Sequence, residues 1–431
     1  MSSLLSRLKN LPDNINIGLV GIGSIGKGMV LQAGITPGID GVAIADIIVE
    51  RAISCAEWLE RDYRVVDTLD DMHDAIQGGQ LAVCGDGHLI ASCDVVNVFV
   101  EATNSIPAGG QHAITALEHN KHLVMMNYEA DLIFGPYLMH LAQQKDLVYT
   151  VCDGDQPTVL KHLIDEMNFM GFELVMAGNI KGYLDRYVNP TIIIPEADKR
   201  NLDYRMCASY TDGTKLCVEM AVLANGLGLR TAVPGMYGPR FEAIGDVFEH
   251  YDFEAIWADR RPVVDYVLGA KPSGGVFAIG FTDNKYQQDT LAWFPPQMGP
   301  GPFYLFYRPY HLGHFETMAT IASAALDRKA VLKPDYGFQT NVYAYAKRDL
   351  RKGEMLDGIG GYNCYGLIEN FEDNDRDENA GIPSCLAENV TLKRDIARDQ
   401  KILMRDVAYD PEDFAFQLFF KAEATAHGRA G

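Results

Sequence analysis

Asn16-Ile17-Gly18-Leu19-Val20-Gly21-Ile22-Gly23-Ser24-Ile25-Gly26-Lys27-Gly28-Met29 is the stretch that decides the fold. A short apolar run ends there in Gly-x-Gly-x-x-Gly and continues into a segment typical of a helix. In this spacing Gly21 permits a tight turn, Gly23 lets the backbone approach a pyrophosphate, and Gly26 allows close packing of helix on strand. The helix N-terminus adds free N–H groups and the positive end of its dipole. The stretch therefore predicts a strand–turn–helix unit that binds a dinucleotide.

A carboxylate stands where such a unit would bind a ribose. The second apolar run, Gly41 to Ala45, ends in Asp46, about 20 residues after Gly26. Asp46 favours NAD because it repels a 2′-phosphate, whereas Arg51, one turn further on, keeps NADP open. The alternative is an ordinary βα turn without a cofactor. We predict NAD(P) as the cofactor, bound by Gly21, Ile22, Gly23, Ser24, Ile25, Gly26 and Asp46.

Composition limits the classes of partner. The 431 residues suffice for two or three domains, and 58 acidic against 37 basic side chains give a net charge of −21. That charge argues against nucleic acid and anionic membranes, so an anionic substrate would need a local basic cluster. The eight cysteines form no Cys-x-x-Cys pair, which favours reduced thiols. With no visible signal peptide or membrane-length apolar run, we expect a soluble, cytoplasmic protein.

Strand and helix signals alternate through residues 1–153, which predicts a Rossmann-type doubly wound parallel sheet. The run Asp94 to Asn104 is β-branched and apolar on both faces, as in a buried parallel strand. Residues 154–335 mix helices, strands and Gly/Pro-rich loops and predict an α+β substrate domain. Residues 336–431 predict a small β-rich domain ending in a charged, frayed tail, Lys421 to Gly431. The fold class is α/β with these two added domains.

Ends of predicted parallel strands supply the next candidates, since open α/β sheets bind ligands there. Small residues and amides would let a nicotinamide ring lie flat, and they occur at Ala102, Thr103, Asn104 and Asn127. Glu129 and Asp131 could orient a substrate or hold a divalent ion. Alternatively, they cap a helix that begins near Leu132.

Two carboxylates and an amide mark the predicted domain crossover, Cys152-Asp153-Gly154-Asp155-Gln156-Pro157. They follow a strand and precede a helix that Pro157 can open. Asp155 could cap this helix or bind a polyol hydroxyl, and we add Gln156 as a candidate substrate ligand.

Lys215 stands out in Asp212-Gly213-Thr214-Lys215. If Asp212 or Thr214 caps a helix, Lys215 lies in the first turn, where the helix dipole disfavours a cation and lowers its pKa. This placement favours a carbonyl-polarising or proton-transfer group, with a solvated surface lysine as the alternative. Lys181, after a predicted strand, is a further candidate.

Tyr307-Arg308-Pro309-Tyr310-His311-Leu312-Gly313-His314 brings an arginine and two histidines together. Arg308 and His311 could bind a phosphate or carboxylate, or serve as structural hydrogen-bonding groups. A metal pair at His311 and His314 would need further ligands, so no metal site is predicted, although a divalent metal stays possible. Hydrolase and NTPase motifs are absent from the sequence.

Several motifs resemble known families. The Gly21 to Gly26 turn, Val98 to Asn104 and Ala116 to Asn127 resemble the nucleotide domain of homoserine dehydrogenase. Tyr128 replaces the lysine that this family has after its Ala-Asn pair. The chain is more similar to homoserine-dehydrogenase-like oxidoreductases with a C-terminal SAF-type (β-clip) domain. That similarity rests on residues 127–131, 154–157, 212–215, 299–302, 307–312, 346–354 and 356–361.

This resemblance implies NAD(P)-dependent chemistry on a small hydroxy-carbonyl compound, such as a ketose phosphate or a branched sugar acid. The family includes a 1-deoxy-D-xylulose 5-phosphate (DXP) reductoisomerase-like protein and oxidoisomerases. We expect a small, anionic substrate, a homo-oligomer, and Lys215, Lys181, Asp155 and Glu129 as the catalytic groups. The alternatives are a homoserine-dehydrogenase-type reaction on a semialdehyde, which Tyr128 disfavours, and a non-catalytic nucleotide-sensing or scaffold protein.

Overall fold

A computed structural model describes residues 3–200, 202–294, 298–375 and 377–428. The chain divides into two compact units. The first comprises Met1–Asp155, Leu312–Lys333 and Phe414–Gly431, and the second comprises Gln156–His311 and Pro334–Asp413. Within the described ranges, none of the helices combines the length and apolar character needed to span a bilayer.

A seven-stranded, fully parallel sheet forms the centre of the first unit, in the order β3-β4-β2-β1-β5-β6-β7. Its strands are short and apolar, and every residue of Val98–Glu101 is buried, as expected for a strand covered on both faces. The predicted Rossmann-type sheet is confirmed. The strands are β1 (Ile15–Val20), β2 (Ile39–Ala45), β3 (Tyr63–Val65), β4 (Leu81–Cys84), β5 (Val98–Glu101), β6 (His122–Met125) and β7 (Tyr149–Val151).

Helices connect successive strands of this sheet. Their apolar side chains pack on the sheet, where Met29 and Val30 of one helix meet Ile17 and Leu19 of β1 in a common core. The helices are α1 (Leu4–Leu8), α2 (Ser24–Ile35), α3 (Val49–Trp58), α4 (Leu69–Gln77), α5 (Gly87–Ser92), α6 (Ile106–Glu118) and α7 (Tyr128–Gln144).

Helix α7 begins earlier than the sequence suggested. The Oδ1 atom of Asn127 accepts a hydrogen bond from the Ala130 N–H at 3.0 Å, so the helix begins at Tyr128 rather than near Leu132. It continues through Pro136, which the described helix contains in its interior. Glu129 and Asp131 therefore lie within the first turn of the helix, where acidic side chains are favoured.

A mixed five-stranded sheet, in the order β12-β11-β8-β10-β9, organises the second unit. Strand β8 pairs in parallel with β10 and antiparallel with β11, which agrees with an α+β domain. The strands are β8 (Glu173–Lys181), β9 (Arg230–Thr231), β10 (Val263–Leu268), β11 (Val276–Phe281) and β12 (Phe303–Arg308). The helices are α8 (Gln156–Phe169), α9 (Ile194–Arg200), α10 (Tyr204–Asp212), α11 (Thr214–Leu227), α12 (Val247–His250), α13 (Phe253–Ile256) and α14 (Lys285–Leu291).

The β-rich segment 334–413 belongs to this second unit and is not a separate body. It forms two small sheets, β13-β15 and β14-β16-β17. Its strands are β13 (Thr340–Ala346), β14 (Met355–Asp357), β15 (Cys364–Asn370), β16 (Glu388–Leu392) and β17 (Val407–Ala408). The chain divides after Asp155, and residues 334–413 group with the second unit, while the domain boundaries after residues 153 and 335 stay predictions.

The end of the chain returns to the first unit as a helix. The predicted frayed tail is wrong up to residue 428, because Leu418, Phe419 and Ala422 are buried and Phe414 packs edge-on against Phe134 of α7. The last three residues of that tail lie outside the described ranges. The remaining helices are α15 (Thr317–Ala322), a π-helical turn (Ser323–Asp327), α16 (Phe414–Gly428), and the 3₁₀ turns Ile244–Asp246, Gly313–Phe315, Phe371–Asp373, Ser384–Leu386 and Met404–Asp406.

Candidate functional site

The glycine turn after β1 has the geometry that its spacing predicts. Gly21 has φ +97°, a conformation that side chains disfavour, and its N–H donates to the Ala45 carbonyl at 2.8 Å. A Cβ on Gly21 would lie 2.5 Å from the backbone carbon of Ala102. The turn is thus held against the ends of both β2 and β5, and no other residue type fits there.

Gly23 and Gly26 differ in what surrounds them. A Cβ on Gly26 would overlap the carbonyl oxygen of Gly21, so the helix approaches the turn more closely than a side chain allows. Around a Cβ on Gly23 there would be open space, with no atom within 4 Å. Gly23 is also the N-cap of α2, and no side chain caps this helix. The open space and the uncapped N–H groups form a cradle that fits a pyrophosphate.

Asp46 ties the glycine turn to the end of β2. Its buried carboxylate accepts hydrogen bonds from the Ile22 and Ile48 N–H groups, both at 2.9 Å. Each carboxylate oxygen keeps a further lone pair for a ribose hydroxyl. The guanidinium of Arg51 lies 3.9 Å from Asp46, with its side chain 58% exposed. Asp46 and Arg51, the two residues expected to influence the preference for NAD or NADP, therefore both lie beside the glycine turn.

The segment after β5 is organised by Glu101, a residue that the sequence analysis did not select. Its Oε1 accepts hydrogen bonds from the Thr103 hydroxyl at 2.5 Å and from the Thr103 N–H at 3.3 Å. Glu101 is fully buried, and its Oε2 has no hydrogen-bond partner among the described residues. The Ala102 N–H donates to Val20 at 2.8 Å, which places Ala102 and Thr103 next to Gly21. An acid ending an apolar strand was the available signal for Glu101.

Asn127, Glu129 and Asp131 have different surroundings although they are close in sequence. The Nδ2 of Asn127 donates to the Ser105 carbonyl at 3.0 Å, which joins it to the segment after β5, where Asn104 is exposed. Glu129 is buried. Asp131 accepts a hydrogen bond from the Tyr149 hydroxyl in the core, where burial raises its pKa to about 7. Asp131 thus faces a core tyrosine.

Asp155 and Gln156 are both half-buried at the division of the chain. Asp155 closes the first part of the first unit, next to Gly154, which has φ +94° and accepts a hydrogen bond from the Gly313 N–H at 2.6 Å. Gln156 is the first residue of α8 in the second unit. The helix thus begins where Pro157 predicts it.

Lys215 is the second residue of α11 and is only 6% exposed. The alternative of a solvated surface lysine is therefore wrong. The helix begins after Gly213, which has φ +87°, and the Thr214 N–H donates to Asp212 Oδ1 at 2.8 Å. The N-cap of α11 is Gly213, and no side chain caps the helix, so the predicted capping by Asp212 or Thr214 is wrong. Lys215 lies in the first turn as expected.

Three basic residues lie at or just beyond one edge of the second sheet, a group we call the basic edge: Lys181, Arg308 and His311. Lys181 ends β8 and Arg308 ends β12, while β11 begins between them. His311 contacts the Gly274 carbonyl through Nδ1 at 2.7 Å, and the Gly274 N–H donates to Ile180 at 2.9 Å. The Arg308 guanidinium lies 4.6 Å from the ring centre of Tyr310.

The start of α11 lies beside this edge. The Asp185 N–H, four residues after Lys181, donates to the Thr211 carbonyl at 2.9 Å. A Cβ on Gly213 would lie 2.9 Å from the Leu184 side chain. The fold thus places the first turn of α11, with Lys215, next to the segment that leaves the basic edge.

Among the described residues, neither of the two histidines considered from the sequence belongs to a group that could hold a metal ion. His314 belongs to the first unit, where its ring packs over Gly28 and burial lowers its pKa, whereas His311 belongs to the second unit. Among the residues that the structure describes, one group could hold a metal ion: His73, Cys93 and Asp94. In it, His73 Nε2 lies 2.6 Å from Asp94 Oδ1.

Comparison with known families places an oxidoreductase region in this chain. Residues 154–317 match the family model described as "Oxidoreductase DRL, catalytic domain". The matched range contains Asp155, Gln156, Lys181, Lys215 and the rest of the basic edge. This part of the chain is therefore similar to an oxidoreductase catalytic domain. A comparison with curated proteins found no match.

Solved structures resemble parts of the chain at low identity. Biliverdin reductase from Synechocystis sp. PCC 6803, in complex with biliverdin and NADP+, is 15% identical over 40% of this chain and 49% of its own, with a TM-score of 0.30. Scyllo-inositol dehydrogenase from Lactobacillus casei, with NAD(H) and scyllo-inositol, is 14% identical over 63% of this chain and 67% of its own (TM-score 0.34). DOX-P reductoisomerase, with NADPH, fosmidomycin and magnesium, is 13% identical over 48% and 58% (TM-score 0.34). This chain thus spans about half to two thirds of the length of these structures.

Proposed function

We propose that this oxidoreductase uses NAD(P) to oxidise or reduce a small hydroxy-carbonyl compound, such as a ketose phosphate or a branched sugar acid. The observation that carries the proposal is the glycine turn. Gly21 adopts a positive φ, Gly26 excludes a side chain, and Gly23 leaves open space at an uncapped helix N-terminus. A purely structural βα turn requires the first two features but has no need of the third.

Different residues around the glycine turn would bind different parts of the dinucleotide. The N–H groups of Gly23, Ser24 and Ile25 would bind the pyrophosphate, and Asp46 would accept the ribose hydroxyls. At the other end, Ala102 and Thr103 would border the nicotinamide, together with the neighbouring amides Asn104 and Asn127. NAD is the preferred form, because the Asp46 carboxylate stands where the 2′-phosphate of NADP would be.

Bound NAD(P) would supply the hydride chemistry. Lys215 would donate a proton or hydrogen bond to the carbonyl oxygen of the substrate, where negative charge develops as the carbonyl is reduced. Its burial supports this role, because an ammonium group held away from water interacts more strongly with a developing alkoxide. Lys181 would assist it, while Asp155, Glu129 and Gln156 would hold substrate hydroxyls. The contact with Tyr149 makes Asp131 a less suitable substrate ligand than these groups.

The basic edge would bind the anionic group of the substrate. A protein of net charge −21 repels anions at long range, so a phosphate or carboxylate needs cations concentrated in one place. Arg308 offers a planar, two-pronged donor suited to such groups. The His311 Nδ1 contacts the Gly274 carbonyl, which fixes the ring and leaves Nε2 for the ligand.

The proposal is tested by measuring both cofactor binding and substrate turnover. NADH and NADPH are titrated by fluorescence, and oxidation and reduction are then followed on a panel of ketose phosphates, sugar acids and semialdehydes. We expect tighter binding of NADH and turnover of at least one sugar-derived compound. Lys215→Ala should reduce kcat by about 10²- to 10⁴-fold with an unchanged dissociation constant for NADH, whereas Lys285→Ala, on exposed α14, should change neither.

Three outcomes would redirect the proposal. Turnover restricted to an amino-acid semialdehyde would favour the homoserine-dehydrogenase-type reaction. Tight binding of NADH without any turnover would favour a nucleotide-sensing protein. Full activity in Lys215→Ala would remove Lys215 from the reaction.

A further inference from the structure

A buried ion pair joins the β-rich C-terminal segment to the start of α11. The Nζ of Lys347, the residue after β13, lies 2.8 Å from Asp212 Oδ2. The same ammonium group donates to the carbonyl oxygens of Val188 and Gly361, both at 2.8 Å. Lys347 is 5% exposed and Asp212 is fully buried.

Such a pair is weak as a source of stability. Removing two charges from water costs about as much as their attraction returns, so apolar residues of similar size would serve a core equally well. A pair that is nevertheless present, with its ammonium group also bonded to two backbone carbonyls, fixes geometry. What it fixes is decided by the remaining contacts of Asp212.

Those contacts lead directly to Lys215. Asp212 Oδ1 accepts the N–H of Thr214, the first residue of α11, at 2.8 Å. The Thr214 hydroxyl in turn accepts the Gly366 N–H of β15 at 2.8 Å. The first turn of α11 is therefore anchored twice to the segment 334–413, through Lys347 and through Gly366. Gly213, with φ +87°, separates this turn from α10, and Asp212, the last residue of α10, joins the two through its bond to the Thr214 N–H.

We propose that the Lys347–Asp212 pair is a positioning device for Lys215, and that the C-terminal β-rich segment serves as the clamp that holds it. The inference deepens the proposed function and rests on it where activity is concerned. Lys215 needs such a clamp because a cation in the first turn of a helix is repelled by the helix dipole. Without it, the first turn would fray and the ammonium group would move towards water.

The test measures the position of Lys215 and the activity separately, in the full chain. The acetylation rate of the Lys215 amine is measured by mass spectrometry and normalised to the other lysines, and kcat is measured on the substrate found above. We expect Lys347→Met to raise the relative Lys215 rate at least tenfold and to lower kcat at least tenfold, with an unchanged dissociation constant for NADH. Lys347→Arg should restore most of both.

Lys401→Met is the matched control. It removes another partly buried lysine of the same segment, whose Nζ lies 2.8 Å from Glu369, and should change neither readout. If Lys347→Met fails to fold, the Asp212→Asn/Lys347→Met double variant leaves no unpaired buried charge and carries the same expectations.

Two results would overturn the proposal: an unchanged relative acetylation rate at Lys215 in the folded variant, or equal effects in Lys401→Met. Failure of the proposed function is distinguishable from both. In that case Lys215→Ala keeps full activity, while Lys347→Met still raises the acetylation rate at Lys215.

Discussion

Gly23→Ala separates a cofactor-binding turn from a merely structural one. The added methyl group meets no atom within 4 Å, and φ at this position is −77°, which alanine adopts without strain. The folding cost is therefore only that of a poorer N-cap, about 0.5–1 kcal/mol. The same methyl group would occupy the space that the pyrophosphate needs. Overpacking of this kind costs about 1–3 kcal/mol, which weakens NADH binding by roughly 5- to 150-fold.

Two other glycines of α2 serve as controls. A Cβ on Gly26 would overlap the Gly21 carbonyl, so Gly26→Ala should lose both stability, by about 1–3 kcal/mol, and NADH binding. A Cβ on Gly34 meets nothing within 4 Å near the other end of the helix. Gly34→Ala should leave NADH binding intact and stabilise the protein by about 0.5–1 kcal/mol.

Fluorescence titration with NADH gives the dissociation constants, and thermal unfolding with and without NADH gives the stabilities. Because a bound ligand stabilises the folded state by mass action, Gly23→Ala should unfold at nearly the wild-type temperature without NADH and gain less from it. Unchanged NADH affinity in Gly23→Ala would refute the assignment of the turn as a pyrophosphate site.

Three further predictions concern charged groups. Asp46→Asn should raise the affinity for NADPH relative to NADH at least tenfold, as read from the two dissociation constants; an unchanged ratio would contradict the role of this carboxylate. Burial raises the pKa of Asp131 to about 7. Between about pH 4 and pH 7 the folded state therefore binds more protons than the unfolded state. As a result, the free energy of unfolding falls as the pH rises through this range. Asp131→Asn should flatten this dependence in denaturant titrations at pH 5 and pH 8, and a slope equal to that of the wild type would show that another group titrates. Arg308→Ala should raise KM about tenfold for an anionic substrate without affecting NADH binding, and an unchanged KM would place the anion elsewhere.

The parallel sheet could be predicted because its signals are local. Each strand is a short apolar run, and the glycine spacing fixes the turn that follows β1. Helix α16 was missed for the opposite reason. Its charged residues suggested a frayed tail, whereas its stability comes from Leu418 and Phe419 packing in a core formed by residues far away in the chain.

The candidate site was predictable as a set of residues but not as an arrangement. Lys215 could be selected from the sequence because its position in the first turn of a helix is unfavourable for a cation. Its burial could not be predicted, because burial depends on tertiary packing. The convergence of Lys181, Arg308 and His311 depends on the antiparallel pairing of β11 with both β8 and β12, which no local pattern encodes. The partner of Lys347 is likewise 135 residues away in the sequence, at Asp212. The hydrogen bond from Tyr149 to Asp131 also joins two elements whose pairing only the fold reveals.

A crystal structure of the chain with bound NADH tests the central claim most directly. We predict that the pyrophosphate lies on the N–H groups of Gly23 and Ser24, with the ribose hydroxyls on the Asp46 carboxylate. A dinucleotide bound away from the glycine turn would contradict this.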